Sequence, residues 1–579
     1  MLQKKNMSIF LLTMLSITML LAVPSSPVAA LDKYELDLWY TPSHYGSTEK
    51  AVAELIKAAL EATGCFEITL KSAEWATYIA QLGQMEFFLL GWWFDYPDPA
   101  NYINPFVGAG TYDQGVNYTS AEMAGYIESM FLETDPVLRE QAIINAQELM
   151  ASDVPVVPLV TMEEQFLAYQ LDMEGCVLEP SENVHYDTMN ETGDTGVIIG
   201  TSDKIKNLDP ADAYDYFSSN TLVQLTHGIV EMPRDTTSAD PGPFLDSWSA
   251  TPDGLVYNFS LIPGWQFSDG QYLNASTLKW NLDRACYIRG YPGFLLTQLM
   301  NNTGYSGGVY TNSSVSIIND TAISIKINAA DATFLSRLTY TVAWPVSPLS
   351  LNDTDIGGTP GTEWPAGLGP YKINSWTTSE LILGLNPYYP ANMAPNNTQI
   401  TINIFADAST LLTALETDTI DVAHRKFGPQ ERKDIKANAG LDYITYASNG
   451  IRYLIINCEA ITDVYIRRAI AAAVNRDMIK SLVWEDTVFK LFSMVPIGWF
   501  GHIDAFEDGP IQAHVEGNMT LAGYCVPDTV TATVTGTQTQ TQTQTVISTI
   551  QVPGFEILAV LTMLAAIGLV YTLKKKKKI

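Results

Sequence analysis

Few stretches of this chain space their side chains for chemistry. Gly304-Tyr305-Ser306-Gly307-Gly308 matches the Gly-x-Ser-x-Gly pattern of a hydrolase nucleophile. That pattern works only with a buried strand before the serine and a helix after it. Here Asn301-Asn302-Thr303 precedes it and Val309-Tyr310-Thr311-Asn312 follows, which is loop chemistry, so Ser306 is not expected to be a nucleophile. The chain has no His-Glu-x-x-His, no phosphate-binding glycine loop and no Cys-x-x-Cys. Its six histidines, at 44, 185, 227, 424, 502 and 514, are dispersed and suggest no metal cluster. The expectation is therefore a protein that is not an enzyme, with no cofactor and no metal. The densest polar and aromatic block is Gly91-Trp92-Trp93-Phe94-Asp95-Tyr96-Pro97-Asp98-Pro99. Asp95 and Asp98 there suit a proline-rich turn. Twelve Trp and 29 Tyr are present. Most should be core, since aromatic side chains bury large areas, and a few in loops could stack on a sugar or a ligand side chain.

The elements that must position this block have readable patterns. Leu36 to Tyr40 alternates as a strand. Ser47 can cap a helix to about Thr63, with Val52, Leu55, Ile56 and Leu60 on one face. Phe66 to Lys71 and Phe87 to Trp93 are further strands. This β-α-β order fits a parallel sheet flanked by helices. Asp135-Pro136 opens a helix to about Ser152, with Leu138, Ala142, Ala146 and Leu149 inward. Val156 to Val160 is a short apolar strand, and 226 to 253 reads as loops. Leu255 to Ile262 is a strand, Ala275 to Arg284 a helix, and Ser314 to Ile327 a hairpin. Leu381 to Leu385, Ile400 to Ile404 and Tyr443 to Tyr446 are strands, and Leu411 to Leu415 starts a helix. Val464 to Val483 carries one apolar stripe over a single long helix.

The ends carry different signals. Lys4 and Lys5, the apolar run from Ile9 to Val23 and Val28-Ala29-Ala30 read as a secretory signal over 1–30. Ile557 to Leu573 is apolar and followed by Lys574 to Lys578, so 553–573 is expected to span a membrane with 574–579 in the cytoplasm. The expected localisation is the cell membrane, single-pass, with the body extracellular. The Thr/Gln-rich stretch 526–552 has no core face and reads as a stalk, roughly 90 Å long if extended. The remaining body, about 495 residues, calls for two or more lobes. A net charge of −31 makes nucleic acid and anionic lipid unsuitable partners. Recurring Asn-x-Ser/Thr sites, Asn117, Asn190 and Asn274 among them, suit an exported glycoprotein. Five cysteines (Cys65, Cys176, Cys286, Cys458 and Cys525) are an odd, scattered set that makes neither a metal site nor a dense disulfide framework.

Several blocks together resemble the peptide/nickel-type (family 5, cluster C) solute-binding proteins of ABC importers. They are Leu208-Asp209-Pro210, Phe244-Leu245-Asp246-Ser247-Trp248, Trp265 to Gly270 with Leu273-Asn274-Ala275, Gly367 to Tyr371, and Asn386 to Tyr389. Arg467 to Ile470, Val495 to Trp499 and Leu521 to Tyr524 follow in the family's order. Ser268 stands where the family usually has His. The block Gly91 to Pro99 comes last in that family and first here, so the resemblance implies a circular permutation; the alternative is two partial copies. The implied fold is α/β, two-lobed and periplasmic-binding-protein-like (type II, cluster C), with an extra subdomain. The implied order is 31–153 from the C-terminal part of lobe II, 154–232 lobe I, 233–366 the subdomain, 367–447 lobe I and 448–525 the rest of lobe II.

The resemblance also implies a function. Lobes of this family close on a ligand held between them. Asp95 matches the aspartate that holds an α-amino group in peptide-binding members, and such a charge-assisted hydrogen bond gains strength in a cleft. Gly91 and Trp92 would offer backbone to an extended peptide, with Trp93 beside them. Expected partners are a peptide or oligosaccharide, an ABC permease with its ATPase subunits, and the membrane through the C-terminal helix. A cell-surface adhesion glycoprotein on the same scaffold is the alternative. If the order is permuted, Cys65 and Cys525 share a lobe, and a bridge between them would fasten the C-terminus.

Overall fold

A computed structural model describes residues 33–524, apart from 43, 45–47, 109–113, 163, 302 and 426. The signal, stalk, membrane segment, lysine stub and Cys525 expected above lie outside the described residues. Among the described residues no helix is long and apolar enough to cross a membrane.

Two mixed sheets organise the chain. The first has five strands in the order Phe66–Ser72, Tyr34–Tyr40, Phe87–Trp92, Ile451–Ile456, Val156–Thr161. The first three run parallel, and Ile451–Ile456 lies antiparallel between Phe87–Trp92 and Val156–Thr161. Period-two alternation explains its two covered faces. Phe87, Leu89, Leu454 and Ile456 enter one core with helix Thr48–Ala62, while Phe88, Leu90, Tyr453 and Ile455 enter another with helix Pro136–Asp153. The second sheet has seven strands, with Gly196–Thr201 parallel to both Gln399–Ile404 and Val422–His424. A four-stranded sheet with helix Ala275–Ile288 forms the subdomain, around Phe259, Leu278 and Ile323. Asp209 joins subdomain to sheet through a buried two-point ion pair with Arg284, at 2.7 and 2.6 Å.

The chain crosses between the two large sheets twice. One crossing links Val156–Thr161 to Gln165–Gln170, the other Leu441–Tyr446 to Ile451–Ile456. They touch where the Met162 N–H donates to the Gly450 carbonyl at 2.7 Å. Val156–Thr161 belongs to the first sheet, so the chain leaves that lobe after Thr161 rather than at the expected boundary of 153.

Most expected elements are present, with three differences. Val464 to Val483 is two helices, Val464–Ala473 and Arg476–Val483. Val474 is extended and the Asn475 side chain caps the second helix through the Met478 N–H, ending the first. Leu138 faces solvent, in the first turn beyond the contact that buries Ala142 and Ala146. The stretch read as loops includes strand Leu245–Ala250, paired to Val256–Leu261. Ser306 ends one arm of a small hairpin, Gly304–Ser306 with Val309–Thr311, closed by Gly307 and Gly308 at positive φ. No helix follows it, so the elbow geometry is absent.

Candidate functional site

The four residues singled out by sequence sit on one strand end and the loop that follows it. Gly91 and Trp92 end strand Phe87–Trp92, opposite Arg452 and Ile451 of the neighbouring strand. Trp92 turns into the lobe, donating from Nε1 to Asn101 Oδ1 at 3.2 Å and packing edge-on against Phe106. Trp93 points the other way. It lines a cavity between the sheets and packs against the crossing at Gly450, where a Cβ would come within 2.8 Å of its ring.

The loop splits its two aspartates by role. Asp98 accepts two bonds from Arg139 Nη2, at 2.7 and 2.8 Å, and one from the Ala100 N–H that opens helix Ala100–Val107. It is a structural cap, as a turn reading expects. Asp95 is different. Its N–H donates to Asn101 Oδ1 at 2.8 Å, and its carboxylate accepts from Asn101 Nδ2 at 3.3 Å and from the Tyr214 hydroxyl. Tyr214 comes from the opposite lobe. Among the described residues no cation reaches ion-pair distance of Asp95, although it is only 9% exposed. Burial raises its pKa, and the bonds from Tyr214 and Asn101 and the more distant Arg337 oppose that rise. A carboxylate held this way is short of positive charge.

Further contacts tie the loop to the subdomain. Tyr96 enters the subdomain core beneath the Arg337 guanidinium, 4.6 Å from its ring. Arg337 is anchored by Gln298 Oε1 at 2.7 Å and Thr333 Oγ1 at 3.0 Å. Tyr214 is flanked by Phe294 and Tyr340, at ring separations of 6.0 and 5.8 Å. An aromatic box from one lobe thus faces a carboxylate from the other.

The crossing segment carries a second polar cluster that sequence reasoning did not single out. Glu182 Oε1 accepts from the Asn449 N–H and from Ser448 Oγ, the latter at 3.2 Å. Asn449 is also held by Trp499 Nε1 at 2.9 Å and by Tyr102, whose hydroxyl donates to its carbonyl at 2.8 Å. Burial pushes Glu182 up to about 7 against the opposing bonds from Asn449 and the charge of Arg425. Arg425 lies over the Tyr216 ring at 3.7 Å and near Trp93 at 5.8 Å, 3.6 Å from Asp203. Glu182 lies one residue before the polar stretch 183–196 that leads to strand Gly196–Thr201, and only its charge in an otherwise unpatterned loop could have flagged it. Among the described residues no group of three or more His, Cys, Asp or Glu is placed to hold a metal ion.

The sequence profile described as "Bacterial extracellular solute-binding proteins, family 5 Middle" matches residues 26–114 and 242–549, more than half of the chain. The chain belongs to this family. Among curated family 5 relatives, the glutathione-binding protein GsiB of Pectobacterium atrosepticum is 25% identical over 287 residues, 49% of this chain and 52% of that one. Its Escherichia coli counterpart is 22% identical over 312 residues, 52% of this chain and 56% of the relative. The chain spans about half the length of the curated relatives it matches. Among solved structures, a periplasmic oligopeptide-binding protein of Borrelia burgdorferi aligns with TM-score 0.44 and 18% identity, over 57% of this chain and 67% of that one. The two-lobed α/β architecture described above is the family 5 fold. The relatives are named as binding proteins rather than enzymes.

Proposed function

We propose that this chain captures peptides between its lobes and delivers them to an ABC permease, with Asp95 holding the α-ammonium. The observation that carries this reading is the Asp95 carboxylate, buried between the lobes without an ion-pair partner among the described residues. An ammonium there supplies the missing charge and replaces the Tyr214 hydroxyl as donor. The curated relatives are named for glutathione, a peptide, which supports peptide over oligosaccharide. Titrating the full chain with a random tripeptide library and with oligosaccharides, read by calorimetry, tests the choice. Binding of sugars alone would overturn the peptide reading. Failure of any cargo to raise the melting temperature would favour the adhesion alternative.

The proposal extends to how the chain is held and ordered. The apolar run before Lys574 to Lys578 supports a single-pass anchor with the lobes outside the cell. Loss of membrane partitioning on removal of 553–579 is the expected outcome, and retention would refute the anchor. Circular permutation is supported by one sheet drawing strands from both ends of the chain, which two partial copies would not require.

A further inference from the structure

The loop that carries Asp95 also carries a side chain that is buried in the other lobe. Tyr96 follows the end of strand Phe87–Trp92, yet it is 5% exposed and packs among the apolar core residues of the subdomain. Its socket is organised by the subdomain alone. Arg337 lies over the ring, 4.6 Å from the centroid. The groups that fix Arg337 are subdomain residues: Gln298 Oε1 at 2.7 Å, Thr333 Oγ1 at 3.0 Å and Asp331 Oδ2 at 3.4 Å. Asp331 in turn accepts from the Thr333 N–H at 2.7 Å and from its hydroxyl at 2.6 Å, which sets the turn. The middle residue of that turn reaches across the gap. The Ala332 N–H donates at 2.7 Å to the Phe131 carbonyl, near the end of helix Ala121–Leu132 in the lobe of the first sheet. Neither contact uses the Asp95 carboxylate, so both are open to the chain whether or not the anchor is filled.

We propose that Tyr96 is a positioning residue that latches the two lobes together independently of cargo, so that cargo reaches Asp95 only when the Tyr96 ring withdraws from its socket. Withdrawal puts an aromatic ring into water and uncovers an apolar socket. It also strips a buried guanidinium of the ring beneath it. Tyr96 adjoins Asp95 in the chain, so the loop cannot part from the subdomain without moving the carboxylate. The far end of the loop is held by the pair of Asp98 with Arg139, which fixes how far the ring projects. Asp95 itself is 9% exposed and bonded to Tyr214 across the same gap, so the anchor is shut while the ring is seated. The latch sets how readily the site opens, separately from what the site prefers to hold.

Hydrogen exchange of the full chain, with no peptide added, reads the latch directly, because the Ala332 amide is bonded across the gap. In the wild type that amide should be protected. Tyr96→Ala should speed its exchange roughly tenfold or more, while amides in the central strands of both large sheets keep their wild-type protection. Tyr96→Phe, the conservative variant, keeps a ring beneath Arg337 and should exchange as slowly as the wild type. Tyr96→Leu fills the socket without a π face and should fall between the two. An unprotected Ala332 in the wild type would overturn the latch. So would wild-type exchange in Tyr96→Ala, or Tyr96→Phe exchanging as fast as Tyr96→Ala. If Tyr96→Ala also loses protection in the sheets, Tyr96→Leu and Tyr96→Phe decide, and equal exchange at Ala332 in those two would overturn the latch. Because no peptide is present, failure of the latch leaves the peptide reading standing, and the expected result is the same for a chain that takes no peptide.

Discussion

Replacing Asp95 with Asn tests the amine anchor most directly, because the substitution separates charge from shape. Asn keeps an acceptor for one of the two donors that now meet the carboxylate, the Tyr214 hydroxyl and Asn101 Nδ2, and leaves the backbone bond from residue 95 to Asn101 Oδ1 in place. It removes a charge that burial already disfavours, so Asp95→Asn should melt no lower than the wild type at pH 7. Its effect should fall on cargo. A hydrogen bond to a charged group contributes about 1.5–3 kcal/mol, which is roughly tenfold to a hundredfold in affinity. The wild type should therefore bind a free-amine peptide at least tenfold more tightly than its N-acetylated form, and Asp95→Asn should bind the two within about twofold. Calorimetry on both peptides and both proteins closes a double cycle. Asp98→Asn is the control. It breaks a buried two-point pair with Arg139 and should cost about 3 kcal/mol of stability while leaving the acetylation penalty intact. Equal losses for free and acetylated peptides in Asp95→Asn would show that Asp95 only shapes the loop, and the anchor would be refuted.

Three further outcomes follow from particular contacts. Tyr214→Phe removes the hydroxyl that competes for Asp95 and should tighten free-amine peptide binding roughly two- to tenfold; weaker binding would mean that the hydroxyl itself contacts cargo. Glu182 titrates near 7 when folded against 4.5 ordinarily, so its contribution to stability is present below about pH 4.5 and is lost as pH rises through 7. Relative to wild type, Glu182→Gln should be more stable at pH 8 than at pH 4.5 by up to about 3 kcal/mol, and a pH-independent difference in urea midpoints would contradict this. Cys65 is disulfide-bonded while Cys176, Cys286 and Cys458 are free. A non-reducing peptide map should link Cys65 to Cys525, and a free thiol at Cys525 would exclude the pairing proposed from the permuted order.

How much of this was legible depended on whether a residue's partners lie near it in sequence. The front strands and helix Thr48–Ala62 were readable because their periodicity is local; the cap expected at Ser47 lies outside the described residues. The loop from Trp93 to Pro99 stood out by composition, which did not rank its two aspartates; only the family resemblance singled out Asp95. What separates them is Arg139 beside Asp98 and Tyr214 beside Asp95, and Tyr214 is 119 residues away on the other lobe. The fully buried strand Ile451–Ile456 was not singled out, although Arg452-Tyr453-Leu454-Ile455-Ile456 is its run of β-prone residues. Buried on both faces, it lacks the alternation that marks a half-exposed strand. The single long helix failed for the opposite reason: an apolar stripe continues through a break that Asn475 imposes by capping.

The permuted order has a physical consequence that can be tested in full. Tyr34 and Tyr524, at the two margins of the described chain, meet ring to ring at 4.9 Å, and the Tyr34 N–H donates to the Cys65 carbonyl at 2.9 Å. Close ends are what make it tolerable to cut a chain elsewhere and rejoin it here. Both crossings between the large sheets, and the Glu182 contact to Asn449, lie far along the chain from either margin. Moving the ends should therefore leave the hinge and the Asp95 loop untouched. A chain rebuilt to begin at 191, run to 524 and continue through a short glycine-serine link into 33–190 should fold with the same strand pairings. It should also keep the peptide acetylation penalty of the original. Its loss of one join between 190 and 191 cuts only the two-residue pairing of Asn190–Glu191 with Met173–Glu174, a small contact at the surface. A rebuilt chain that folds but no longer distinguishes free from acetylated peptides would refute the claim that chain order is neutral to the site. One that does not fold would tie Tyr34–Tyr40 to its present position at the front of the chain, and the permutation proposal would fail with it.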